Sequence, residues 1–392
     1  MSSYDFDSIT MESMRSKKGV KWSLFGEDVI PLWLAEPDFN IAPLIKETLI
    51  KAVEDEYLLY SNDDEFRRAA AEKVRRVNKI EAEEEDIYVT QGVLPSMWLS
   101  IKAVCREGDQ VVVTDPMYWP FYNAVEVTKT EPLHWRLDEE DGYRFNIDAL
   151  NEMITPKTRL IFVCNPHNPT GRVMTKEELR GISDIAVDRN LYVMSDELWE
   201  DIRFDGRSHV SIASLNPEIS ERTISSFGFS KTFGVPGLQI GYMVVTNKNL
   251  MEKIRKIAKG VLRGASSLSR AAGVVMLSGA LDEYVKSMLR YLESLRSIAE
   301  KRFKEMTDVT CPKLEGTYLM FPNLSSYGMV SEAMAEYLLK EGKVAVTPGS
   351  EFGHQGEGHI RICIATSKAI LTEALDRIQN ALAKLRTYAE KL

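Results

Sequence analysis

Between residues 86 and 245, short apolar runs alternate with stretches whose apolar positions recur at helical spacing. Segments 87–90, 111–114, 160–164, 191–195, 223–227 and 240–245 are predicted to be strands, most of them apolar throughout rather than at every second position. Such strands suit a sheet covered on both faces, which is the habit of parallel sheets. The intervening stretches read as amphipathic helices. Thr175, with Glu178 three residues on, supplies a capping box for one of them over 175–189. A mostly parallel α/β sheet is therefore predicted, with ligands expected at the carboxyl ends of its strands.

After residue 248 the pattern changes. A long helical stretch is predicted from 251 towards 303, followed by short strands at 318–321, 344–347 and 360–365 and a last helix over 368–391. These elements suggest a smaller α+β lobe. Residues 31–43 read as extended chain leading to a helix from residue 44, so the N-terminal segment is assigned to the same lobe. The expected division is a large domain over 46–275 and a small one made of 1–45 with 276–392. Two lobes suit a chain of 392 residues, which exceeds the usual reach of a single core.

Composition narrows the function classes. The hydrophobic and charged fractions, 44% and 27%, are those of an ordinary globular protein. A net charge of −9 without a dense basic run argues against nucleic acid. No apolar run reaches membrane-spanning length and no secretory pattern opens the chain, so a cytoplasmic protein is expected. Cys105, Cys164, Cys311 and Cys363 lack paired spacing and read as buried reduced thiols. His354 and His359 flank Glu357, but their five-residue spacing in a Gly-rich stretch suits a loop better than a metal site, and no metal is expected.

Candidate chemistry clusters just after the predicted strands. Gln91-Gly92-Val93 precedes a helix over 96–104, where backbone N–H groups can receive a phosphate. Asn165-Pro-His-Asn168-Pro-Thr-Gly171 holds the amide of Asn168 on a rigid loop, because neither Asn-Pro step can continue a strand. Asp196 closes the strand before Glu197. Lys231 lies in Ser226-Phe-Gly-Phe-Ser-Lys-Thr-Phe-Gly-Val-Pro-Gly-Leu-Gln-Ile-Gly-Tyr242, a lone amine among small and turn-forming residues and a candidate nucleophile once desolvated. Arg361 stands in the apolar run His-Ile-Arg-Ile-Cys-Ile-Ala, where an Arg is expected to pair with a carboxylate.

In this order, Asn168, Asp196, Lys231 and Arg361 make a pattern that resembles the fold-type I pyridoxal-phosphate (PLP) enzymes, specifically the class I/II aminotransferases and the similar cystathionine β-lyase-type carbon-sulfur lyases. The resemblance runs from about residue 31 to the end of the chain. It implies a large PLP-binding domain with a mostly parallel seven-stranded sheet flanked by helices, and a smaller α+β domain. It also implies a homodimer with active sites at the interface, acting on an amino acid and a 2-oxo acid. Under it, Lys231 carries PLP as an aldimine and moves the Cα proton, and Asp196 keeps the pyridine nitrogen protonated. Asn168 donates to the ring's phenolic oxygen and helps bind substrate, and Tyr118 stacks on the ring. Gly92, Val93 and Ser230 take the phosphate, and Arg361 grips the substrate carboxylate.

Three positions depart from the family pattern. Gln239 stands where a phosphate-binding Arg is common, Gly228 where a Ser or Thr is, and Trp199 where a Tyr would meet the phenolic oxygen. The tyrosine that reaches a neighbouring subunit's phosphate is either Tyr57 or Tyr60. Arg263 and Arg270 read either as receptors for an acidic substrate or as solvated helix charges. Segments such as Ile30-Pro-Leu-Trp-Leu-Ala-Glu-Pro-Asp-Phe39 and Val344-Ala-Val-Thr-Pro-Gly-Ser-Glu-Phe-Gly353 also resemble the lyases. The aminotransferase is preferred, with the β-lyase as the alternative and a PLP-binding regulatory protein as the alternative from another class.

Overall fold

The structure is a computed structural model that describes residues 4–262 and 264–389. Among the described residues, twelve strands occur in chain order: β1 (Ile30–Pro31), β2 (Ile87–Thr90), β3 (Gln110–Asp115), β4 (Glu131–Arg136), β5 (Thr158–Cys164), β6 (Tyr192–Asp196), β7 (Thr223–Gly228), β8 (Gly241–Val244), β9 (Leu319–Met320), β10 (Val344–Ala345), β11 (Thr347–Pro348) and β12 (Ile360–Cys363). Seven of them form the central sheet in the order β2-β8-β7-β6-β5-β3-β4, and β8 runs antiparallel to both of its neighbours. The other pairings in this sheet are parallel. This is the α/β architecture the sequence implied.

Alternate residues of the inner strands enter different cores, which explains why those strands are apolar throughout. Val112, Ile161 and Val193 pack on one face with Leu179 and Ile182 of the helix Lys176–Asp188. Val111, Val113, Leu160, Phe162 and Met194 pack on the other with Met97 and Phe121. A polar residue at either set of positions would lose water on both sides. The predicted capping box is present: Glu178 donates its N–H to Thr175 Oγ1 at 3.1 Å, and Thr175 donates its own to Glu178 Oε2 at 2.7 Å.

Two sequence expectations differ from the structure. The six predicted strands correspond to β2, β3, β5, β6, β7 and β8, but β4 was not foreseen. It is an edge strand, and of its six residues only Trp135 is buried, so Glu-Pro-Leu-His-Trp-Arg shows no apolar run. The long helix expected from 251 to 303 is three helices, Lys248–Ala258, Ser267–Leu277 and Asp282–Glu305. Gly260 and Gly279 take φ of +81° and +85° at the breaks, and Ser266 caps the second helix through the N–H of Ser269.

The chain's two ends meet beside the sheet. β1 pairs in parallel with β10, Ile30 opposite Val344, while β9, β12 and β11 form a three-stranded antiparallel sheet. The helix Lys368–Ala389 follows. No helix among the described residues is long and apolar enough to cross a membrane. Cys164 and Cys363 are buried as expected, whereas Cys105 and Cys311 are only half-buried; all four are free thiols.

Candidate active site

Strand register brings the candidate residues together. Cys164 at the end of β5 lies opposite Asp196 at the end of β6, and Asp196 lies opposite Ser226 on β7. The loop carrying Asn168 leaves β5, and the turn carrying Lys231 leaves β7, so three side chains converge at the carboxyl edge of the sheet. They line a cavity of about 410 Å³, with Tyr118 and Trp199 as further walls and Arg361 of β12 closing it from the smaller sheet.

Lys231 Nζ donates to the carbonyl of Ala35 at 2.7 Å and stands 5.5 Å from the centre of the Trp199 ring. Burial, and then the nearby Arg361 guanidinium, lower its pKa to about 8. Asp196 is buried, and Oδ1 accepts the N–H of Leu198 at 3.0 Å. Burial raises its carboxyl to about 7, so the site favours a cation beside it.

Arg361 departs from the expected carboxylate pairing. Its guanidinium donates to Asn168 Oδ1 at 3.2 Å, to the carbonyl of Trp33 at 2.9 Å and to Thr347 Oγ1 at 3.4 Å, and lies 4.8 Å over the Phe352 ring. All of these acceptors are neutral, and Nε has no partner although it is buried. Glu351 is near enough to feel its charge but no carboxylate bonds to it among the described residues, so the desolvated guanidinium can receive one. Arg361 also occupies Asn168 Oδ1, which leaves that amide's N–H₂ group to face the cavity as a donor.

Gly92 takes φ +102° just before the helix Leu94–Val104, and among the described residues neither its N–H nor that of Val93 has an acceptor. These two free donors fit a phosphate. The turn is tightly packed from behind: a Cβ on Gly241 would stand 2.9 Å from the Gly92 Cα and 2.7 Å from the Phe227 carbonyl oxygen. Ser230 is half-buried next to Lys231. Gln239 is exposed in a left-handed conformation, and a Cβ on Gly228 would stand 2.7 Å from Leu198 Cδ1, so the Ser or Thr common there would need the Leu198 side chain to shift. Trp199 is buried edge-on against Tyr318, with ring centroids 4.7 Å apart. The donor set and the acidic cavity floor fit PLP.

Several contacts were not foreseen. The carbonyls of Trp33 and Ala35 hold the two cations, while Thr347 and Phe352 buttress Arg361. All lie in segments quoted for their resemblance to lyases, but a backbone carbonyl has no sequence signal of its own. His359 is buried between Tyr143 and Glu139 and stacks on Phe321, away from His354. Glu197, Glu200 and His209 gather instead, in a hydrogen-bonded network with Ser211, Asn78 and Lys73. Arg270 is tied to Ser61 and to the Ala265 carbonyl, and Arg263 lies outside the described residues.

A mostly parallel sheet with a desolvated lysine and a buried aspartate at its carboxyl edge is the arrangement of a PLP-dependent enzyme of fold type I. Residues 28–378 match the family described as aminotransferase class I and II. An aspartate aminotransferase of Pyrococcus horikoshii is 33% identical over 91% of each chain, and the cystathionine beta-lyase PatB of Bacillus subtilis is 29% identical over 95% of this chain and 98% of its own. The PLP-bound structure of a Clostridium difficile 630 protein assigned as an aminotransferase superposes with a TM-score of 0.90, at 30% identity, over 97% of this chain and 100% of that one. The chain belongs to the class I and II aminotransferase family and is a PLP-dependent transferase.

Proposed function

We propose that this enzyme moves an amino group between an L-amino acid and a 2-oxo acid, with Lys231, Asp196, Asn168 and Arg361 in the roles their positions suggest. PLP, when bound, supplies an aldehyde that exchanges amines and a ring that takes up the electron pair left at the substrate Cα. Lys231 would hold it and would carry the proton at Cα. With a pKa of about 8, part of this amine is neutral near neutral pH. Asp196 holds a proton on the ring nitrogen through its carboxylate. Asn168 would donate to the ring's phenolic oxygen, Tyr118 would pack against the ring, and Gly92, Val93 and Ser230 would bind the phosphate.

Arg361 would grip the α-carboxylate and so fix the orientation of the substrate Cα. Its buried and unpaired Nε is the observation that carries this assignment. Elimination of a β-thiolate would use the same residues as far as removal of the Cα proton. The similarity to PatB over 95% of the chain favours testing it as the second reading. Incubation with amino acids, with and without a 2-oxo acid, separates the two. Acceptor-dependent exchange is expected, while pyruvate and ammonia from cystathionine without acceptor would establish the lyase.

A homodimer with shared sites is part of the proposal. Leu58, Leu59 and Tyr60 form an exposed run, and Tyr60 is 100% exposed, which supports it over half-buried Tyr57 as the residue that reaches a partner's phosphate. The division into 46–275 and 1–45 with 276–392 is supported by the pairing of β1 with β10. Residence in the cytoplasm is supported by the four free cysteines.

A further inference from the structure

Arg361 reaches the cavity from the three-stranded sheet, so its position depends on how that sheet is held against the central one. One carboxylate bridges them. Glu139, in the turn after β4, accepts from Asn323 Nδ2 at 2.6 Å, from Thr310 Oγ1 at 2.8 Å and from His359 Nε2 at 3.2 Å. These three donors form one row at the end of the small sheet, because Thr310 pairs with Asn323, and Asn323 with His359, in antiparallel bridges. His359 stands two residues before Arg361, so both side chains share a face of the extended chain that enters β12.

The turn that presents Glu139 is closed on itself: Gly142 and Tyr143 donate their N–H groups to the carbonyls of Glu139 and Asp138, each at 2.8 Å. Tyr143 is buried at φ +57°, which is unfavourable for a large side chain, and its hydroxyl stands 3.1 Å from His359 Nε2. Burial alone would raise the Glu139 carboxyl, yet the bonds from His359, Asn323 and Thr310 hold it at about 2. It is therefore an anion. His359 Nδ1 faces the Glu357 carbonyl at 3.1 Å, and with oxygens that only accept at both nitrogens the ring is assigned as a donor on each side. That ring stacks on Phe321 with centroids 4.6 Å apart, Phe321 meets Phe352 edge-on at 5.8 Å, and the Arg361 guanidinium lies 4.8 Å over Phe352. Backbone and packed rings both join Glu139 to Arg361.

We propose that Glu139 is a positioning residue: by latching His359, Asn323 and Thr310 to the central sheet, it sets where the Arg361 guanidinium stands when a substrate carboxylate arrives. This rests on the assignment of Arg361 as the α-carboxylate receptor. Glu139 does not itself line the cavity, so it acts on binding through Arg361 and not on the proton at Cα.

Calorimetric titration of the holoenzyme with 3-phenylpropanoate, a carboxylate without an amine to react, reads Arg361 without turnover. Glu139→Ala should weaken this binding about five- to tenfold, because even a small misplacement of a positioning group is costly. It should raise KM for the amino acid more than it lowers kcat and leave the cofactor's visible band in place. Glu139→Gln, whose amide oxygen still accepts from Asn323 and Thr310, should stay within about threefold of the wild type and supplies the test if Glu139→Ala does not fold. Wild-type affinity in both variants, or a fall in kcat at unchanged KM, overturns the proposal. Arg361→Leu separates the levels. If it leaves 3-phenylpropanoate binding intact, the carboxylate assignment falls and the proposal falls with it; if it abolishes binding while both Glu139 variants bind like the wild type, the assignment stands and only the positioning role is lost.

Discussion

The floor of the cavity and its mouth are held by different kinds of structure. Asp196 and the loop bearing Asn168 leave adjacent parallel strands whose register is fixed by buried apolar residues on both faces of the sheet. The mouth is assembled from segments far apart in the chain. The Trp33 carbonyl meets Arg361 across 328 residues and the Ala35 carbonyl meets Lys231 across 196, and several of the mouth's side chains sit on turns rather than strands. The floor is where chemistry needs atoms in fixed places, and the mouth is where selectivity can change without disturbing the sheet.

The largest effect should come from the floor. On the proposed assignment, Lys231→Ala removes the holding amine and the proton carrier together. A loss of turnover of about 10⁴-fold or more and disappearance of the cofactor's visible band are expected by steady-state kinetics and absorbance. Arg361→Leu stands at the border of the two regions. A fall in kcat/KM of roughly 10²- to 10³-fold is expected from loss of a desolvated charge contact, and unaltered kinetics would remove its carboxylate role.

Asp196→Asn should act on stability with a definite sign. Its folded pKa of about 7 lies above the ordinary 3.8, so in cofactor-free protein this group's contribution is full below about pH 4 and is lost as pH rises to about 7. The substitution removes that slope. Cofactor-free Asp196→Asn should therefore gain on the wild type between pH 4 and 7, by up to about 4 kcal/mol, in denaturant titrations at several pH values. Gly241→Ala, which crowds the Gly92 turn, should cost about 1–3 kcal/mol and weaken cofactor binding. At the mouth, half-exposed Trp119→Ala should change stability by no more than about 0.5 kcal/mol, and a larger change would erase the contrast between the regions.

The same contrast explains what the sequence could reveal. Six central strands were legible because burial on both faces makes them apolar throughout, and β4 was not because an edge strand with one buried residue has no such mark. Lys231, Asp196 and Asn168 were legible because they sit in compact motifs directly after strands. Arg361 was visible as a charge in an apolar run, but its neutral partners were not: the Trp33 carbonyl and Thr347 come from distant segments, and no periodicity connects them.

The central claim is that Lys231, and no other amine, holds the cofactor. Borohydride reduction of the holoenzyme fixes PLP to whichever amine carries it, and peptide mass mapping then identifies the site. The account predicts a single modified peptide containing Lys231, absent from Lys231→Ala. Labelling of another lysine, such as buried Lys21 or Lys73 of the polar network, would contradict it.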